Sequence, residues 1–102
     1  MHIITKSRLV EFWTEYADAE TSLRLWYDRT RLAEWKDFVE LRQIFPTADQ
    51  VKNLTVFNIG GNQYRLIALV DYARGKVFIR NVLTHAEYDT GSWKNDPWFE
   101  ES

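Results

Sequence analysis

Cysteine is absent from the 102 residues, and the chain has only two histidines, two prolines and one methionine. Without cysteine there is no disulfide framework, no thiolate nucleophile and no Cys-based zinc or iron–sulfur site. Two histidines are too few for a His-rich metal centre, so neither a metal nor a cofactor is expected. No apolar run approaches the ~20 residues that span a bilayer. The opening Met1-His2-Ile3-Ile4-Thr5 lacks the basic and then apolar pattern of a signal peptide. A soluble cytoplasmic protein without membrane partners is the expectation. A chain this short has room for one core, so a single domain over residues 1–102 is expected.

Aromatic residues are abundant, at 16% with five tryptophans, and build a core from few side chains. The net charge of −2 argues against nucleic acid only as an average. Residues 51–85 carry Lys52, Arg65, Arg74, Lys76 and Arg80 against Asp71 alone. Residues 86–102 carry Glu87, Asp89, Asp96, Glu100 and Glu101 against Lys94 alone. A basic segment is followed by an acidic, aromatic tail. The basic segment suits a phosphate-binding surface, although strand edges also collect Lys and Arg.

Met1–Thr5 reads as a short strand. Leu9, Phe12, Trp13, Tyr16 and Ala17 follow at helical spacing, with Ser7 as the candidate N-cap. Leu23, Trp26, Tyr27 and Thr30 mark a second helix, capped by Asp18 or Thr21. A third is expected from about Glu34 to Ile44, ended near Phe45 by Pro46, and Pro46–Gln50 reads as a loop. Val51–Asp89 then reads as three antiparallel strands. Gly60-Gly61 supplies a two-residue hairpin turn, which pairs Ile59 with Asn62 and Val56 with Arg65. A second turn near Tyr72–Gly75 pairs Asp71 with Lys76 and Ile67 with Arg80.

Strand side chains alternate between faces. One face collects Phe57, Ile59, Tyr64, Leu66, Ala68, Val70, Val77, Ile79 and Leu83, and is expected to pack on the helices. The other carries Leu54, Val56, Asn58, Arg65, Ile67, Phe78, Arg80 and Val82, and is expected to be mixed, basic and partly open. The fold class is therefore α/β (α+β), a twisted antiparallel β-sheet with the N-terminal helices on one face. Trp93, Trp98 and Phe99 either pack back on the sheet or form an exposed patch for a partner.

Arg65 and Arg80 on one face are the strongest candidate constellation, because guanidinium groups bind phosphate bidentately and stay charged. Taken singly, each arginine is as well explained by covering apolar surface or pairing with Asp71 or Glu87. His85 suits general acid–base chemistry, and Tyr88 suits a hydroxyl-positioning, proton-transfer or base-stacking role. Asp89 is a candidate partner for His85 or for an arginine. Asn58, Gly60, Gly61 and Asn62 are accounted for by turn geometry, and His2 by simple exposure.

The run VFNIGGNQYRLIALV and the strand ending IRNVLTHAEYD, with MHIIT and FPTADQVK before them, resemble the HigB family of toxins in the RelE-like superfamily. The resemblance covers essentially the whole chain and implies a RelE-like fold. It also implies an mRNA interferase toxin of a type II toxin–antitoxin system. Such a toxin is a metal-independent endoribonuclease that cuts mRNA, typically on the ribosome, by attack of the ribose 2′-hydroxyl on the adjacent phosphate. The implied partners are mRNA, the ribosome and a HigA-like helix-turn-helix antitoxin. On that reading Arg65, Arg80, His85 and Tyr88 are catalytic candidates, and Lys52, Asn58, Asn62 and Lys76 are candidate RNA contacts. The rival reading is a non-catalytic RNA- or protein-binding module that regulates through its helix-turn-helix partner.

Overall fold

The computed structural model describes residues 1–100, so Glu101, counted above in the acidic tail, lies outside the described residues. The elements are β1 (His2–Ile4), α1 (Ser7–Glu15), α2 (Glu20–Leu32), α3 (Phe38–Ile44), β2 (Asp49–Val51), β3 (Leu54–Ile59), β4 (Tyr64–Asp71), β5 (Lys76–Thr84) and α4 (His85–Asp89). Short 3-10 turns at Ala17–Ala19 and Ser92–Asn95 precede α2 and follow α4. The sheet order is β1-β5-β4-β3-β2.

Apolar spacing sets the helices. Leu9 and Phe12 on α1, and Leu23, Trp26 and Thr30 on α2, are buried one or two turns apart against the sheet. Each fully buried Leu contributes roughly 1.5–3 kcal/mol. The caps differ from expectation. Ser7 is the first helical residue of α1 and caps nothing, and α2 runs directly out of the 3-10 turn without a side-chain cap. The third helix is shorter than expected because Asp37 caps it, its carboxylate accepting the Glu40 N–H at 3.0 Å. It ends at Ile44, just before Phe45 and Pro46, as expected.

The sheet is mixed rather than purely antiparallel, because β1 lies parallel to β5. Between β1 and β5 the chain runs through α1 to α3 and strands β2 to β4, so no hairpin dictates the direction of that pair. Part of the expected loop at Pro46–Gln50 is also strand: β2 begins at Asp49 and pairs antiparallel with β3.

Two registers position the site. The first hairpin closes over four residues, with Ile59 opposite Tyr64 and Asn58 opposite Arg65. Gly60 and Gly61 take φ of 61° and 68° in that turn. The slip of two residues from the expected pairing leaves every side chain on its expected face. The second hairpin pairs Asp71 with Lys76 as expected, but a β-bulge interrupts the ladder: Ala68 opposes Ile79 while Ile67 opposes Asn81. Arg80 is the unopposed residue. Beyond it the faces exchange, so Val82 packs on the main core and Leu83 on the opposite side, the reverse of the expectation.

The second face is not an open surface. Leu54, Val56, Ile67 and Trp93 form a second buried cluster, flanked by Leu69, Leu83, Tyr88, Trp98 and Phe99. The apolar residues interleaved with the arginines need burial as much as those facing the helices, and the aromatic C-terminal segment supplies it. Of the two expectations for that segment, packing back on the sheet is the one observed.

Candidate active site

The end of the sheet where β4 begins and β5 finishes gathers most of the candidates. Thr84, opposite Tyr64, caps α4 through a reciprocal pair with Glu87: its Oγ1 accepts the Glu87 N–H at 3.2 Å, and its own N–H reaches Glu87 Oε1 at 2.9 Å. The His85 N–H donates to Gln63 O at 3.1 Å, tying α4 to the first hairpin. One helical turn brings His85 and Tyr88 to neighbouring positions on α4. His85 Nδ1 lies 3.0 Å from Asp89 Oδ2. Asp89 therefore pairs with the histidine, not with an arginine.

Arg65 is only 7% exposed. Its Nη2 donates to Asn62 Oδ1 at 2.5 Å, and its Nη1 donates to Asn62 O at 3.3 Å and Tyr64 O at 3.1 Å. Asn62 thereby occupies the end-on edge of the guanidinium. The Nε–H and one Nη2–H, which share the side-on edge, have no partner among the described residues. No ion pair among the described residues involves Arg65. Its acceptors are all neutral, so no counter-ion is paired with the guanidinium in this poorly solvated place. A buried charge held without a counter-ion is costly, and the free edge matches two oxygens of a phosphate. The guanidinium lies over the Tyr88 ring at 5.3 Å. That ring also stacks on Trp93 at 5.3 Å with 12° between planes, and the Tyr88 carbonyl accepts the Trp93 Nε1–H at 3.2 Å. The Tyr88 ring is thus engaged by both Arg65 and Trp93.

Arg80 is built differently. Its Nε and Nη2 donate to the two carboxylate oxygens of Asp96 at 2.8 and 3.0 Å, and the Trp98 ring covers it at 3.9 Å. Its backbone carbonyl accepts from Arg8 Nη1. Burial pushes the Asp96 carboxyl up, but the Arg80 hydrogen bonds, the Trp98 N–H and the nearby Arg8 together hold it below the usual carboxylate range. Along β5, Arg80 sits three residues from Leu83, the partner of Arg65, a separation of about 10 Å.

Asn58 joins the cluster as the residue opposite Arg65, and Asn62 as its ligand. Lys52 and Lys76 do not join it. Lys76 starts β5, opposite Asp71 and His2, about 23 Å along the strand from Leu83. Lys52 lies in the turn between β2 and β3, at the other end of β3 from Asn58, and pairs with Glu100 at 3.3 Å. Asp71 and Glu87, weighed above as arginine partners, serve Arg74 and the α4 cap instead. Sequence reasoning missed Asp96, Trp93 and Trp98 as neighbours of the two arginines and Tyr88. The only available signal was that an acidic, aromatic tail follows a basic strand. Among the described residues no group of three His, Asp or Glu side chains is placed to hold a metal ion.

The sequence model of the HigB toxin family, described as the RelE-like toxic component of a toxin–antitoxin system, matches residues 19–91. The mRNA interferase toxin HigB of Escherichia coli (strain K12) is 36% identical over 92 residues, covering 87% of this chain and 88% of its own. The mRNA interferase HigB of Shigella flexneri shows the same identity and coverage. The mRNA interferase HigB of Escherichia coli O6:H1 is 30% identical over 92 residues, covering 87% of this chain and 89% of its own. The matched region holds Arg65, Arg80, His85 and Tyr88, and the chain belongs to the HigB family of RelE-like toxins.

Proposed function

We propose that this chain is the toxin of a toxin–antitoxin pair and acts as an endoribonuclease on mRNA. The observation that carries the site assignment is Arg65: a nearly buried cation with neutral ligands, a free bidentate edge, and Tyr88 against it, with His85 one helical turn before that tyrosine. In the proposed reaction the ribose 2′-oxygen attacks the adjacent phosphorus. The P–O5′ bond breaks, leaving a 2′,3′-cyclic phosphate and a 5′-hydroxyl. His85 takes the 2′-hydroxyl proton on Nε2, the tautomer being set by Nδ1–H donation to Asp89. Arg65 stabilises charge on the non-bridging oxygens as it grows in the transition state. The hydroxyl of Tyr88, whose ring lies against that cation, delivers a proton to the departing 5′-oxygen.

Arg80 adds positive charge along the RNA path, and Asn58 contacts the RNA beside the Arg65 edge. Lys52 and Lys76, at the far end of the sheet, serve as outlying contacts to the phosphate backbone. The partners on this reading are mRNA, presented on the ribosome, and a HigA-like helix-turn-helix antitoxin. The site of action is the cytoplasm, and no helix among the described residues is long and apolar enough to cross a membrane. Induced expression, with and without the neighbouring antitoxin reading frame, tests the reading. Growth arrest with loss of intact mRNA, relieved by the antitoxin, is the expected result. Unimpaired growth at high toxin levels overturns it.

A further inference from the structure

Arg80 is the residue left unopposed by the bulge in β5, and its side chain lies against the C-terminal segment. Asp96 and Trp98 come from that segment, which lies beyond the residues matched by the family model. Asp96 takes the side-on edge of the Arg80 guanidinium with two short hydrogen bonds, and its side chain is 9% exposed. The same Oδ1 accepts the Trp98 N–H at 2.8 Å, which places the Trp98 ring against the guanidinium plane. Trp98 in turn meets Phe78, edge to face at 5.3 Å. The segment is anchored on both sides: Trp93 is buried in the second cluster, and the Asn53 N–H donates to Phe99 O at 3.1 Å.

One edge and the plane of Arg80 are therefore engaged, and the end-on edge, one N–H on Nη1 and one on Nη2, is what remains. The Arg80 side chain retains 23% exposure. Arg65 shows the complementary arrangement, with its end-on edge held by Asn62 and its side-on edge free. Both arginines are oriented by a dedicated side chain that leaves one donor edge open.

Resting on the RNA-cleavage reading above, we propose that Asp96 is a positioning residue of the site: with Trp98 it fixes Arg80 so that its end-on edge faces an RNA phosphate. Asp96 itself touches no substrate. The alternative consequence of the same contact, that the carboxylate masks Arg80, predicts the opposite sign. Removing a negative charge beside a polyanion favours RNA on electrostatic grounds alone, so a loss of activity identifies positioning.

The test is a cycle with the whole chain and a cleavable RNA oligonucleotide, measuring kcat/KM and the unfolding midpoint. Asp96→Asn retains an oxygen for the Trp98 N–H but loses the paired, charged acceptor. It is expected to lower kcat/KM by about tenfold or more, since small displacements of a positioned group cost up to ~100-fold. The same substitution in an Arg80→Gln background is expected to have no further effect. Trp98→Leu, which frees the guanidinium plane without changing charge, is expected to follow the same pattern and serves if Asp96→Asn does not fold. A rise in kcat/KM, no change, or an equal loss in the Arg80→Gln background overturns the positioning role. Arg80→Gln at the wild-type rate also overturns it while leaving the ribonuclease reading intact. Absence of RNA cleavage by the wild-type chain overturns both.

Discussion

Arg65→Met separates function from stability. The substitution keeps an unbranched side chain and removes the cation. In the structure the guanidinium makes three hydrogen bonds, at 2.5, 3.1 and 3.3 Å, all to neutral oxygens. Losing the group that stabilises the transition-state oxyanion is expected to cost about 3–4 kcal/mol of barrier, or about 10²–10³-fold in kcat. Stability responds with opposing terms. The three acceptors lose a charged donor, each such bond being worth roughly 1.5–3 kcal/mol where the acceptor is buried. Asn62, however, is exposed and its oxygens can turn to water. Against that, an uncompensated charge no longer has to be held at 7% exposure, which relieves a penalty of several kcal/mol. The net is expected within about 1 kcal/mol of zero or stabilising, hence a midpoint no more than ~4–8 °C below wild type. Calorimetry and single-turnover cleavage on the same samples give both numbers. A fully active Arg65→Met protein refutes the catalytic assignment. An inactive protein whose midpoint collapses shows instead that Arg65 is a structural anchor.

Four further outcomes are expected. Asn62→Ala frees the end-on edge of Arg65 and is expected to lower kcat about tenfold, and to cost roughly 1–3 kcal/mol of stability because a charged donor at 7% exposure loses its shortest acceptor. Tyr88→Phe keeps the stack on Trp93 and removes only the hydroxyl; it is expected to fold normally and to lose about 10²-fold or more in cleavage, read by single-turnover kinetics. Trp93→Ala opens the second cluster and is expected to cost about 3–5 kcal/mol in denaturant titration. The Asp96 carboxyl is held below its ordinary value in the folded chain, so its contribution to stability is present above the unfolded pKa and is lost as pH falls through the folded one. Acid titration of the midpoint should show that loss below about pH 4, and Asp96→Asn should remove it.

The parts of the fold legible in the sequence are those governed by local periodicity. The apolar spacing of Leu9, Phe12, Leu23 and Trp26 places α1 and α2, and the turn before Gly75 sets the Asp71–Lys76 pairing. What escaped depends on non-local packing. The short strand at Met1–Thr5 is found as β1, but its parallel pairing depends on the path of the chain between β1 and β5, and the three-residue β2 is too short for periodicity to declare. The bulge at Arg80 has no glycine to announce it, yet it decides which side Val82 and Leu83 face. Arg65 and Arg80 share a face as the alternation indicated, because the two-residue slip preserves parity and the bulge begins only at Arg80. Whether that face is open is a question alternation cannot answer. It depends on Trp93, Trp98 and Phe99, whose docking buries apolar strand residues and brings Asp96 to Arg80. His85 and Tyr88 were legible as a pair on one helical turn. The placement of α4 against the first hairpin, which brings Tyr88 to Arg65, comes from the Thr84 cap and the Gln63 contact.

The most direct test of the central claim, that the Arg65 end of the sheet cleaves RNA by 2′-hydroxyl attack, is the chemistry of the ends produced by the purified toxin. Wild-type protein should yield 2′,3′-cyclic phosphate and 5′-hydroxyl termini, with Arg65→Met yielding them at least ~100-fold more slowly. Termini bearing a 5′-phosphate, or equal rates for the two proteins, would contradict it.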